Sequence, residues 1–149
     1  MIDFLTENDI VHINERTARA HGGKFEPPTN YLHEEALVYL VEAAGSEVFG
    51  APMYPRLSDK AAHYMFSIIS NHVFQDGNKR TGLQAARTFV QLNGGAFHKR
   101  LKAVEVDGRR VPSEGKGTKD IWFYLTMEMA AGAVSLEETR EWFKRNTSW

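Results

Sequence analysis

The chain of 149 residues contains no cysteine. That excludes a disulfide framework and any thiolate-bound metal, and it fits a reducing compartment. Long apolar runs are also missing, so no segment can be expected to cross a bilayer. The opening MIDFLTENDI is acidic and holds no apolar core, so no secretory leader is expected. A strong charge of either sign is absent too. Eighteen Lys and Arg stand against nineteen Asp and Glu, a net charge of −1, which argues against a nucleic-acid binder with a basic surface throughout. The remaining composition, 42% hydrophobic and 25% charged, is that of a soluble globular protein. The expectation is a cytoplasmic protein with a single domain over 1–149.

Helical periodicity dominates. Thr6 can cap a first helix through Ile10, Ile13 and Thr17, which HGG at 21–23 ends. KFEPPTNY reads as a connector, because its two prolines forbid helix. LHEEALVYLVEAAG places Leu37, Leu40, Val41 and Ala44 on one face, with Gly45 as a stop. SEVFGAPMYPRL reads as a loop. A third helix should start near Ser58, with Asp59 in its first turn. Its apolar stripe, Ala61, Met65 and Ile68, ends on His72. QDGN breaks it, and a fourth helix runs from about Asn78 to Asn93. Alternation around Asp107-Gly108 predicts a hairpin near 100–112. KDIWFYLTMEMAAG and SLEETREWFKRN, the latter opening with a Ser135/Glu138 capping box, return to helix. The class is all-α, a compact helical bundle with one small β insertion.

The stretch HVFQDGNKR, residues 72–80, joins the third and fourth helices. A helix N-terminus presents unpaired N–H groups and the positive end of a dipole, which suits an anion. Gly77 permits a sharp turn and close ligand approach. Lys79 and Arg80 add charge, and Arg grips phosphate with two hydrogen bonds. Asp76 is a hard oxygen ligand of the kind Mg²⁺ takes beside phosphates. His72 can accept a proton from an incoming hydroxyl. Phe74 would anchor the loop in the core. Taken singly, these residues have plainer roles as a cap, a turn and solvated cations. Two cations in the first turn of a helix, however, oppose its dipole. An anion would offset them, and such conflicts with local rules gather at functional sites.

HVFQDGNKRTG resembles the signature of the Fic/Doc family, His-x-Phe-x-Asp/Glu-Gly/Ala-Asn-Gly/Lys-Arg, at every position. The Lys79 form followed by Thr81 resembles the death-on-curing (Doc) branch. LTENDIVHINERTARAHGG, YPRLSDKAAHYMFSIISNH, FVQLNG and AAGAVSLEETREWFKRN look like Doc-type segments in the same order. The resemblance implies a helical core that binds ATP and Mg²⁺ at this loop. His72 would be the general base, Asp76 the metal ligand, and Gly77, Asn78, Lys79 and Arg80 the phosphate cradle. Most Fic proteins carry glycine where Lys79 stands and transfer AMP. The lysine form resembles a kinase that moves the γ-phosphate to a Ser or Thr hydroxyl of a protein, for Doc a threonine of a translation elongation factor. Three readings stay open: a Doc-like kinase toxin, a Fic-type AMP-transferase, and a non-catalytic module that binds nucleotide or a partner.

Several features bear on that choice. Many AMP-transferring relatives carry a second arginine three residues after the first, where this chain has Leu83; Arg87 lies a turn further along. No strict Ser/Thr-x-x-x-Glu-Gly/Asn inhibitory motif occurs, and Asp3 to Glu7-Asn8 is the nearest. Restraint by a separate antitoxin chain is then expected. The loop 46–55 corresponds to a flap that docks the target in the family. Lys99, Arg100, Lys102, Arg109 and Arg110 make segment 96–117 basic, which suits an acidic or nucleic-acid-bearing partner. GKGT at 115–118 lacks the spacing of a P-loop. His12, His21, His33, His63 and His98 show no metal spacing and are expected to be ordinary surface or partly buried histidines. Trp122, Phe123 and Tyr124 are expected in the core.

Overall fold

The computed structural model describes residues 1–26 and 30–149. The two prolines of the expected connector, Pro27 and Pro28, lie outside the described residues. Six helices are present among the described residues: α1 (Glu7–His21), α2 (Glu34–Ala44), α3 (Leu57–Ser70), α4 (Asn78–Leu92), α5 (Thr118–Ala130) and α6 (Leu136–Asn146). Their starts follow from local chemistry. Thr6 Oγ1 accepts the Asp9 N–H at 3.1 Å while Asp9 Oδ2 accepts the Thr6 N–H at 2.8 Å, a reciprocal capping box. Ser135 and Glu138 repeat it at α6, at 3.1 and 2.9 Å. At α3, Asp59 Oδ2 accepts the Arg56 N–H at 3.1 Å.

The core is organised around α3, which packs against α2, α4, α5 and α6. Ala61, Ala62, Tyr64, Met65, Ile68 and Ile69 are all fully buried. A helix apolar on nearly every side belongs inside a protein. Its closest neighbour is α4, and Gly82 makes that approach possible. A Cβ there would lie 2.7 Å from Ile69 Cγ1 and 3.0 Å from the Met65 carbonyl oxygen. The pairing of these two helices fixes both ends of the loop between them.

Among the described residues three antiparallel strand pairs decorate the helices, where the sequence predicts one. The expected hairpin is β4 (Val104–Val106) with β5 (Arg109–Val111), turning at Asp107 (φ +50°) and Gly108 (φ +79°), the two positive φ values of a type I′ turn. The loop 46–55 also folds back, as β1 (Glu47–Val48) on β2 (Ala51–Pro52). β3 (Ala96–Phe97) pairs with β6 (Thr147–Ser148). Strands of two residues carry no period to read, which is why the sequence shows only the hairpin with a turn signal.

Two side-chain expectations are corrected. Phe123 is 55% exposed, whereas its neighbour Trp122 packs on Trp142 and Phe97, both at 5.1 Å between ring centroids. His63 is 1% exposed rather than at the surface or partly buried. Its Nε2–H donates to the Leu40 carbonyl at 2.7 Å, Nδ1 accepts from the Ser67 hydroxyl at 3.1 Å, and its ring stacks on Tyr54 at 4.3 Å. Beside it Asp59 pairs with Arg140 at 3.2 Å, and Lys60 Nζ donates to the Tyr54 carbonyl.

Burial lowers the pKa of His63 from its ordinary 6.5, because a charged ring there loses its hydration. Below pH 6.5 the unfolded chain therefore binds a proton that the folded chain refuses, and stability falls as pH falls. His63→Gln should flatten the dependence of Tm on pH on the acid side of 6.5, read by thermal unfolding across that range. An unchanged slope would contradict the neutral, buried imidazole.

Candidate active site

The loop begins where α3 ends, at Ser70, two residues earlier than the predicted stripe requires. Asn71 caps the helix, and His72 turns out of it with φ +47°. The His72 N–H donates to the Ile69 carbonyl at 3.3 Å and the Val73 N–H to the Ile68 carbonyl at 3.5 Å. This is the double closure of a Schellman motif, whose left-handed position is usually glycine. Here a histidine occupies it. Its imidazole is therefore not the end of an apolar face but an exposed side chain on a bend. Val73, next along, is fully buried and anchors the motif.

Phe74 is the second anchor. It is fully buried, stacks on Tyr31 at 5.9 Å and shares an isolated antiparallel bridge with it. The Val73 carbonyl accepts the N–H groups of Leu32 and His33, each at 2.9 Å. Thus the segment leading into α2 is laced to the loop. With 73 and 74 pointing inward, His72, Gln75 and Asp76 remain exposed.

Asn78 closes the loop on itself. Its Oδ1 accepts the Phe74 N–H at 2.9 Å and its Nδ2 donates to the Phe74 carbonyl at 2.8 Å. The side chain is anchored to the backbone at both ends, which leaves Asn78 its N–H and the second Nδ2 proton to offer an anion. Gly77 stands at the N-cap with φ +77° and supplies no side-chain cap, and the first turn of α4 holds no acid. The opening N–H groups of a helix have no partner within it. Lys79 and Arg80 are exposed, and neither joins an ion pair among the described residues.

Asp76 is held by backbone. Oδ1 accepts the Gly77 N–H at 2.9 Å, and Oδ2 accepts the Lys24 N–H at 3.0 Å. Gly23 makes the second bond possible: its φ is +117°, and a Cβ there would sit 3.2 Å from Oδ2. Each oxygen accepts two hydrogen bonds or ligands, so one lone pair on each stays open. No group of three or more His, Cys, Asp or Glu gathers among the described residues. A divalent ion at Asp76 would thus draw its other ligands from phosphate and water, which is how Mg²⁺ is ordinarily held.

The sequence reading missed the support beneath the loop. Asn14 of α1 is fully buried, and its Nδ2 donates to the Asp76 carbonyl at 2.9 Å and to Thr81 Oγ1 at 3.1 Å. Buried Asn30 donates to Asn14 Oδ1 at 3.4 Å and to the Lys24 carbonyl, and its own carbonyl accepts the Gln75 N–H at 2.8 Å. A signal did exist. Asn14 lies four residues after Ile10, on the stripe that α1 buries, and a polar residue there must have partners. Alongside, a groove of about 490 Å³ runs between α1 and α4, lined by His12, Arg16, Thr17 and Gln84 among others. Thr17 Cγ2 lies 3.7 Å from where a Gly77 Cβ would be, so the groove opens beside the loop.

The sequence profile of the Fic/DOC family matches residues 4–90. The chain belongs to the Fic/DOC family. The match spans α1 through nearly all of α4 and includes the whole loop. Over 94 residues the chain is also 53% identical to Toxin Doc of Mycolicibacterium smegmatis, an alignment covering 63% of this chain and 67% of that protein. The segment 96–117 lies outside the profile match.

Two outcomes follow from this geometry. His72→Gly should raise stability by up to about 1 kcal/mol, because glycine takes the left-handed position without a Cβ clash; urea unfolding measures it, and a loss would show that the imidazole itself supports the fold. Asn14→Leu should lower stability by about 1–3 kcal/mol, since it strands the Asp76 carbonyl and Thr81 hydroxyl. Hydrogen exchange of amides 76–81 should speed up in the same variant.

Proposed function

We propose that the protein is a Doc-type toxin that transfers the γ-phosphate of ATP to a Ser or Thr hydroxyl of a target protein. The observation that carries this reading is the first turn of α4. It has no side-chain cap, it holds no acid, and it presents two exposed cations, Lys79 and Arg80, that join no ion pair among the described residues, beside Asp76. Lysine at position 79, where AMP-transferring relatives carry glycine, is what favours phosphate over AMP transfer.

In this reading the N–H groups of Asn78, Lys79 and Arg80, with the two cationic side chains, bind and orient phosphate oxygens. Asp76 would hold Mg²⁺, which when bound neutralises charge on the phosphates. His72, on its exposed bend, takes the proton from the acceptor hydroxyl. That oxygen forms a bond to the γ-phosphorus as the β–γ anhydride bond breaks, and ADP leaves. The β1–β2 hairpin, expected as a flap that docks the target, lies between the C-terminus of α2 and the N-terminus of α3, the ends of both helices away from the loop 72–80, and is not given that role. Restraint comes from an antitoxin in trans, and a segment lying in the α1–α4 groove would reach Gly77. No described helix is long and apolar enough to cross a membrane.

The test uses a bacterial lysate with ATP labelled at either the α or the γ position. Label from γ on a protein hydroxyl is expected, reduced about 10²- to 10⁴-fold in His72→Ala, together with growth arrest on expression that the variant relieves. Label from α would make the protein an AMP-transferase. Mg·ATP binding with no protein labelled, and arrest unaffected by His72→Ala, would make it a binding module.

A further inference from the structure

Seven of the 18 Lys and Arg, but only three of the 19 Asp and Glu, fall within residues 96–119. This stretch therefore carries a formal +4 and the rest of the chain −5. It lies beyond the span that matches the Fic/DOC profile.

The fold gathers these charges. Thr118 opens α5, and its Oγ1 accepts the Leu101 N–H at 2.9 Å and donates to the Lys99 carbonyl at 3.3 Å. The loop 98–102 is thereby laid against the N-terminus of α5. Lys99, Arg100, Lys102, Lys116 and Lys119 are exposed there, and none joins an ion pair among the described residues. Glu105, Glu114 and Asp120 are the acids nearest them in the chain. Arg109 and Arg110 differ: the first is tied to Glu138 and the Ala133 carbonyl, the second to the carbonyls of Pro112 and Gly115.

An apolar stripe continues from the cations. Phe123 and Met127 follow Lys119 by four and eight residues, so all three lie on one face of α5. Phe123 is 55% and Met127 43% exposed. The surface also lies at the far end of α4 from the loop 72–80. β3 follows the C-terminus of α4, and a helix of that length spans about 22 Å.

We propose that this surface docks an acidic protein segment bearing apolar residues at helical spacing, away from the loop 72–80. Charge complementarity recruits such a segment and fixes its end near Lys99 and Lys119. Phe123 and Met127 take its apolar side chains, and methionine adapts readily to such contacts. An extended nucleic acid is disfavoured, because the stripe lies beyond the cations rather than between them and the rest of the chain repels phosphate.

The probe is a labelled peptide of about five helical turns with Leu on one face and Glu elsewhere, followed by fluorescence anisotropy against the full chain. Saturable binding is expected, weakening about tenfold as salt rises from about 0.05 to 0.3 M. A loss of about tenfold is expected both in the double variant Lys99→Glu, Lys119→Glu and in Phe123→Ser; these positions are exposed, and thermal unfolding confirms that the variants fold. The proposal is overturned by no saturable binding, by an equal affinity for the same peptide with Ser replacing Leu, or by an unaffected Phe123→Ser. Tighter binding of a single-stranded oligonucleotide would overturn it in favour of nucleic acid. Sedimentation showing self-association that Phe123→Ser abolishes would overturn it in favour of a second copy.

Discussion

The site depends on keeping the N-terminus of α4 open while the backbone leading into it stays rigid. Most helices satisfy their first N–H groups with a side chain at the N-cap. Here the N-cap is Gly77, and the stabilising amides act one step away: Asn78 grips Phe74, and Asn14 grips the carbonyl of Asp76. The loop is thus held from its carbonyl side and from its buried aromatic. The donors that would bind an anion are left free. A serine at 77 would meet Asn14 Nδ2 at 3.3 Å and strain the left-handed backbone.

The cost of that arrangement is distributed. His72 holds a left-handed conformation that glycine would adopt more readily, and two cations oppose the dipole of α4. Both departures sit within nine residues, and both are supported by well-satisfied parts of the fold. Val73 and Phe74, directly after the exposed bend, are fully buried. Gly82 lets α3 and α4 approach closely enough to fix the two ends of the loop. Strain of this kind persists where surrounding structure over-determines it. The proposed chemistry needs what the strain supplies: an imidazole projected into solvent beside an uncapped helix.

The chain also separates two kinds of surface. One end presents the family's loop, beside which the groove along α1 opens. The other presents a basic rim and an apolar stripe on α5, built from residues outside the matched span. The segment 98–102 ties that second surface to α6, through bonds of His98 and Lys102 to Asn146. Such an insertion can vary without disturbing the loop, because its contacts reach the far end of α4.

Sequence by itself determined the helices and the members of the loop. Apolar residues recurring every three or four positions, the Thr6 and Ser135 boxes and the Asp107-Gly108 turn are local signals, and each one matched the structure to within a residue or two. Tertiary structure decided the rest. That His72 leaves α3 rather than ending its stripe follows from how Val73 packs. That Asn78 gives its side chain to Phe74 follows from the tightness of the bend. The pairings β1–β2 and β3–β6 join segments too short to carry a period. The partners of Asn14, 62 and 67 residues away at Asp76 and Thr81, are beyond any local pattern. A sequence can show that a buried amide needs partners, but only the packed chain brings them to it.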